Sequence, residues 1–158
     1  MEHWLQSLRY PLCYLPSSVN DKLNPFHLAI PVSDLEESVA FYKGILELEP
    51  GRSSDKWADF NFFGHQLVCH VSNNINEQTI NPVDGEEIPV PHFGVVLSIK
   101  EFKEFNLKIK DKNINFIIEP TIRFKGEIGE QRTMFFRDPS GNAIEVKAFR
   151  DMENLFSA

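Results

Sequence analysis

The chain has 158 residues and a mass of 18.2 kDa, with 42% hydrophobic and 25% charged residues, a net charge of −7 and a pI near 5.2. That size suits one compact domain, or two half-size modules sharing a core, and the apolar content is too high for disorder. The acidic balance excludes a phosphate-backbone partner, and no apolar run approaches the roughly 18 residues of a membrane span, so a small molecule is the expected partner.

Residues 1–24 read as an N-terminal appendage, whose apolar stretch is interrupted by Pro11 and Pro16. With Cys13 and Cys69 the only cysteines, a disulfide framework is not expected, and a reducing compartment, the cytoplasm, is. An organellar presequence is the minor alternative, because residues 1–20 carry one acidic side chain.

After Asn24-Pro25, the run FHLAIPV alternates as a strand. Phe26, Leu28, Ile30 and Val32 share its greasy face, and His27, Ala29 and Pro31 lie opposite. Ser33 and Glu36 form a capping-box signature, and Leu35, Val39, Tyr42 and Leu46 at helical spacing predict a helix over about residues 34–46. WADFNFF, Gly64-His65 and QLVCHVS read as a hairpin with Ala58, Phe60, Phe62, Leu67, Cys69 and Val71 facing the helix. Its other face presents Trp57, Asp59 and Asn61 on one strand, and Gln66, Val68 and His70 on the other.

Residues 73–90, rich in Asn, Pro and acidic side chains, read as a linker. PHFGVVL then repeats the first strand, placing His92, Gly94 and Val96 where His27, Ala29 and Pro31 stood. Ser98 and Glu101 cap a second helix carrying Phe102, Phe105 and Ile109. FIIEP, an irregular RFKGEIGEQ segment, TMFFRD, a Pro-Ser-Gly-Asn turn and AIEVKAF complete the second module, and residues 150–158 form a tail. On the last strand Ala143, Glu145 and Lys147 share a face, and a carboxylate at that place must be solvated, paired or ligated.

His27, Ser33 and Glu36 recur as His92, Ser98 and Glu101 at a constant offset of 65 residues, so the chain is an internal repeat with modules over about 25–72 and 91–149. Two equivalent histidines plus a carboxylate are enough to hold a divalent ion.

This order, with FNFFGHQLVCH, VPHFGVVL and EIGEQRTMFFRDPSGNAIEVKAF, resembles the vicinal oxygen chelate superfamily of glyoxalases, bleomycin-resistance proteins and extradiol dioxygenases, and within it a group of small extradiol-dioxygenase-like proteins. The resemblance covers roughly residues 25–149. It implies an α+β fold in which two βαβββ modules form a half-open, curled mixed sheet around a metal-binding cavity, with helices outside. The family pattern falls on His27, His92 and Glu145 as metal ligands.

The implied cofactor is a divalent metal, Fe(II) first, with Mn, Zn or Ni as the other candidates. The implied activity is a dioxygenase acting on a catechol-type chelating substrate with O2, and a homodimer is left open. His70 has the parity of a catalytic or proton-shuttling group, with a hydrogen-bonded sheet histidine as the plain alternative. Gln66, Trp57 and Gln131 are candidate substrate contacts. So are Arg123 and Lys125, in a loop that would fold over the cavity or else form an exposed hairpin. The competing functions are a glyoxalase-like isomerase or thiol transferase, in which Gln66 or His70 replaces a further carboxylate, and a metal-free binding module.

Overall fold

The computed structural model describes residues 24–75 and 77–156. The first module runs β1 (His27–Val32), α1 (Leu35–Val39), β2 (Glu49–Ser53), β3 (Trp57–Phe62) and β4 (His65–Val71). Helix α1 continues as π-helical turns over Ala40–Ile45. A hairpin of β5 (Thr79–Val83) and β6 (Glu86–Val90) follows. The second module comprises β7 (His92–Ser98), α2 (Ile99–Ile109), β8 (Asn115–Arg123), β9 (Gln131–Arg137) and β10 (Ala143–Phe149).

The modules form two sheets of the same topology, β1-β4-β3-β2 and β7-β10-β9-β8, in which the first strand of each pairs parallel to the last. Strand alternation gives each sheet one apolar face. Ile30, Val32, Phe60, Phe62 and Leu67 from one sheet, and Leu97, Met134, Phe136, Ile144 and Val146 from the other, join Phe41, Phe102, Phe105 and Ile109 in one core cluster. The modules therefore share a core. Each fully buried side chain of this kind contributes about 1.5–3 kcal/mol.

A polar knot also joins them. Tyr42 Oη donates to Asp138 Oδ2 at 2.8 Å, and Asn142 Nδ2 donates to the same oxygen and to the Pro31 carbonyl. Burial, then the Asp138 charge, holds the Tyr42 hydroxyl well above the ordinary tyrosine range, so it stays a donor. Tyr42→Phe leaves buried Asp138 short of that donor and is expected to cost about 1–3 kcal/mol, read as a lower urea midpoint at unchanged m-value.

Three local expectations are corrected. Helix α1 is capped by Asp34, whose carboxylate accepts from the Glu37 N–H, because Ser33 is drawn into hydrogen bonds with Ser140 of the other module. The Ser98/Glu101 capping box on α2 is present as expected. The linker region holds a hairpin: Asp84 and Gly85 take positive φ values of 52° and 78°, the backbone of a two-residue turn that matches strand twist. It buries Ile88 against Ile118 and Phe135 of the second sheet. The irregular segment begins later than expected, because Arg123 is the last residue of β8. Residues 1–23, including Cys13, lie outside the described residues.

Candidate metal centre

Strands β7 and β10 bring two of the three expected ligands together. In their parallel register His92 lies opposite Ala143, and Gly94 opposite Glu145. A Cβ on Gly94 would overlap the Glu145 carbonyl, so only glycine allows the strands this approach. His92 Nδ1 lies 2.7 Å from the Pro89 carbonyl, which can only accept, so Nδ1 carries the proton. The other ring nitrogen, Nε2, lies 3.5 Å from Glu145 Oε2.

Glu145, 6% exposed, is held from several sides. Thr133 Oγ1 donates to Oε1 at 2.9 Å, and Lys147 Nζ lies 3.2 Å from Oε2. Burial by itself pushes the carboxyl up; the His92 hydrogen bond, the Lys147 charge and the Thr133 hydroxyl outweigh it and hold it below its ordinary value. His92 is raised by its hydrogen bond to Glu145, against the opposing effect of burial. With Gly94 and Val96 these groups line a cleft of about 220 Å³. A larger cleft of about 310 Å³ beside Gln131 and Arg150 contains none of the three expected ligands.

In the metal-free protein this pair gives stability a defined pH window. The raised histidine contributes fully below the ordinary histidine range and loses its contribution as pH rises through the folded value; the lowered carboxyl sets the acid edge. His92→Gln is therefore expected to lower the melting temperature most at about pH 5.5 and least near about pH 9. A loss independent of pH would contradict the ion pair.

His27 is oriented in the same way on the first sheet. Gln66 Nε2 donates to Asp59 Oδ2 at 3.0 Å, which leaves Gln66 Oε1 to accept from His27 Nδ1 at 2.7 Å. Arg52 lies 3.7 Å from the same Asp59 oxygen. Each module thus ties down a histidine Nδ1–H, so that Nε2, in the neutral ring, is the lone-pair nitrogen, the arrangement seen when imidazoles bind metals. The shared pairing makes Gln66 the equivalent of Ala143, Val68 of Glu145 and His70 of Lys147. Only the second module has the carboxylate. Among the described residues no group of three His, Cys, Asp or Glu side chains is placed to hold a metal, so His27 does not join His92 and Glu145 within one chain.

The remaining candidates lie elsewhere. His70 is exposed on β4 opposite Trp57, four residues or roughly 13 Å along the strand from Gln66. Trp57 is covered by the Arg52 guanidinium, 5.9 Å from the ring centroid. Arg123 is buried, donates to the Val83 carbonyl at 2.7 Å and lies 3.7 Å from Asp84, tying the hairpin to β8. Lys125 is exposed in the turn after β8, and buried Gln131 opens β9 opposite Phe149. Thr133, Lys147 and Asp59 were not singled out for the site. Lys147 had a readable signal, the parity it shares with Glu145; Thr133 had none, since it reaches Glu145 only through cross-strand register.

Residues 24–146 match the Glyoxalase/Bleomycin resistance protein/Dioxygenase superfamily. The chain belongs to this superfamily. A glyoxalase/bleomycin resistance protein/dioxygenase from Alicyclobacillus acidocaldarius is 34% identical, with a TM-score of 0.72 over 84% of this chain and 96% of that one. The metallothiol transferase FosB of Staphylococcus saprophyticus is 29% identical over 120 residues, 76% of this chain and 73% of its own length. The fosfomycin resistance protein FosX of Listeria monocytogenes, solved with Mn(II) and sulfate, shares the fold at 23% identity and a TM-score of 0.60, over 83% of this chain and 93% of that one.

The FosB relationship corrects the expectation of a catechol-cleaving dioxygenase. O2 as co-substrate goes with it, as does the redox reason for placing Fe(II) first. Tyr42, the one tyrosine among the described residues, gives its hydroxyl to Asp138 in the core. No helix among the described residues is long and apolar enough to cross a membrane.

Proposed function

We propose that this protein is a metal-dependent thiol transferase whose metal site forms between two copies, His92 and Glu145 of one chain being completed by His27 of the other. The observation that supports it most directly is the His92–Glu145 pair, an imidazole Nε2 and a carboxylate oxygen 3.5 Å apart with both groups oriented from behind. Two imidazoles and one carboxylate suit a first-row divalent ion and leave positions free for substrate. Such an ion supplies Lewis-acid polarisation of the oxygens of a chelating substrate.

The chain's own residues do the rest. Pro89 and Gln66 hold the ring tautomers, Thr133 aims the carboxylate, and Gly94 sets the spacing of the two strands that carry His92 and Glu145. Gln66 is committed through its amide to His27 and Asp59, which assigns it to positioning.

Two measurements test the proposal. Purified protein loaded with Mn(II) or Zn(II) is offered cysteine and fosfomycin, the compound in the FosX name; mass spectrometry should show one thiol added per product, only with metal. His27→Ala and Glu145→Ala proteins, each inactive, are then unfolded, mixed and refolded together. If the site spans two copies, about a quarter of wild-type activity returns, because half of the dimers are mixed and one of their two sites is intact. No recovery would mean that the ligands are not shared between copies.

A further inference from the structure

Among the described residues, the one cation lining the cleft around His92 and Glu145 is Lys147. We propose that Lys147 is a charge switch: it neutralises Glu145 in the metal-free chain and, once a divalent ion takes that carboxylate, binds an oxyanionic group of the substrate. This rests on the metal site proposed above.

Glu145 Oε1 already accepts from Thr133, so Oε2 is the oxygen left for a metal. That oxygen has His92 Nε2 at 3.5 Å and Lys147 Nζ at 3.2 Å. An ammonium and a dication cannot both sit against one carboxylate oxygen, since like charges at such spacing repel strongly in a partly dry site. The ammonium has to leave for the ion to arrive. It has somewhere to go, because the Lys147 side chain is 31% exposed whereas the Glu145 side chain is 7% exposed, and Lys147 lines the cleft beside its register partner Val96 on β7.

The displaced ammonium remains tethered two residues from a metal ligand and has lost its counter-charge. An oxyanion on a metal-chelating substrate, such as a phosphonate, sulfate or carboxylate, provides a new one at short reach. Of the other basic groups on this sheet, Arg123 is engaged with Val83 and Asp84, Arg137 with Gln78 and the Gly141 carbonyl, and Arg132 lines a different cleft. The equivalent position in the first module is His70, so the device belongs to the half that carries the carboxylate.

The test uses Mn(II) alone and then sulfate. Free Mn(II) is followed by electron paramagnetic resonance as metal is titrated into metal-free wild-type, Lys147→Met and Lys147→Arg proteins. Sulfate is then titrated calorimetrically into each Mn(II)-loaded protein. Removing the competing ammonium should tighten Mn(II) binding roughly fivefold or more in Lys147→Met and weaken sulfate about tenfold. Lys147→Arg should stay within about twofold of wild type in both.

Should Lys147→Met fold poorly, Lys147→Gln keeps a neutral donor to Glu145 and must show the same two shifts. Mn(II) affinity unchanged or weakened in the neutral variants, or sulfate affinity unchanged, overturns the switch while leaving the metal site standing. Wild-type protein that binds no Mn(II) overturns both.

Discussion

Glu145→Ala is expected to lower Mn(II) affinity roughly 100-fold or more and to remove metal-dependent turnover with it. In the proposed ligand set the variant deletes the one anionic ligand and leaves two neutral imidazoles, which cannot offset the charge of a dication or the water it must shed. It also strands the fully buried Thr133 hydroxyl, a loss of about 1–3 kcal/mol set against the desolvation cost that disappears with the carboxylate. Glu145→Gln separates the two effects. It restores an acceptor for Thr133 but not the charge, so it should keep the fold while losing the ion pairs with His92 and Lys147, and still bind Mn(II) poorly. Near-wild-type metal affinity in either variant, measured by the same titration of free Mn(II), would remove Glu145 from the ligand set.

The largest structural effect is expected at Gly94. Alanine there places a methyl group within the Glu145 carbonyl, and because the obstacle is backbone, relief requires β7 and β10 to separate. Gly94→Ala should cost about 3 kcal/mol or more of stability, at the severe end for a single added methyl group. Because the two strands carry His92 and Glu145, Mn(II) affinity should fall in the fraction that still folds. Gly44→Ala is the matched control, since a Cβ at that helical position meets nothing within 4 Å and should be neutral or slightly stabilising. Equal urea midpoints for the two variants would show that the strands can yield at Gly94.

Much of this was legible because it is local. Period-two alternation assigned Phe26, Leu28, Ile30 and Val32 to one face and His27 to the other; burial follows that assignment from Leu28 to Val32, whereas Phe26, one residue before the strand begins, is exposed. The Ser98-x-x-Glu101 signature needs four consecutive residues, and the capping box is there. The failures are equally specific. Asp84-Gly85 is a hairpin-turn signal, but the Asn, Pro and acidic content of the segment reads as a linker; a two-stranded ribbon, with a free edge on each strand, tolerates Pro82 and Pro89. Ser33 had the same local credentials as Ser98 and lost its capping role to a contact 107 residues away.

The sequence by itself determined the duplicated strand-helix-strand plan, the superfamily, and the face on which His27, His92, Glu145 and Lys147 stand, because each follows from side-chain period and motif spacing. Only the tertiary structure decided that His92 meets Glu145 while His27 does not, that Thr133 and Lys147 hold the carboxylate, and that Arg123 anchors a hairpin. Those outcomes depend on strand register and on how two sheets pack around one core. Both are set by contacts between residues far apart in the chain, which no local pattern encodes.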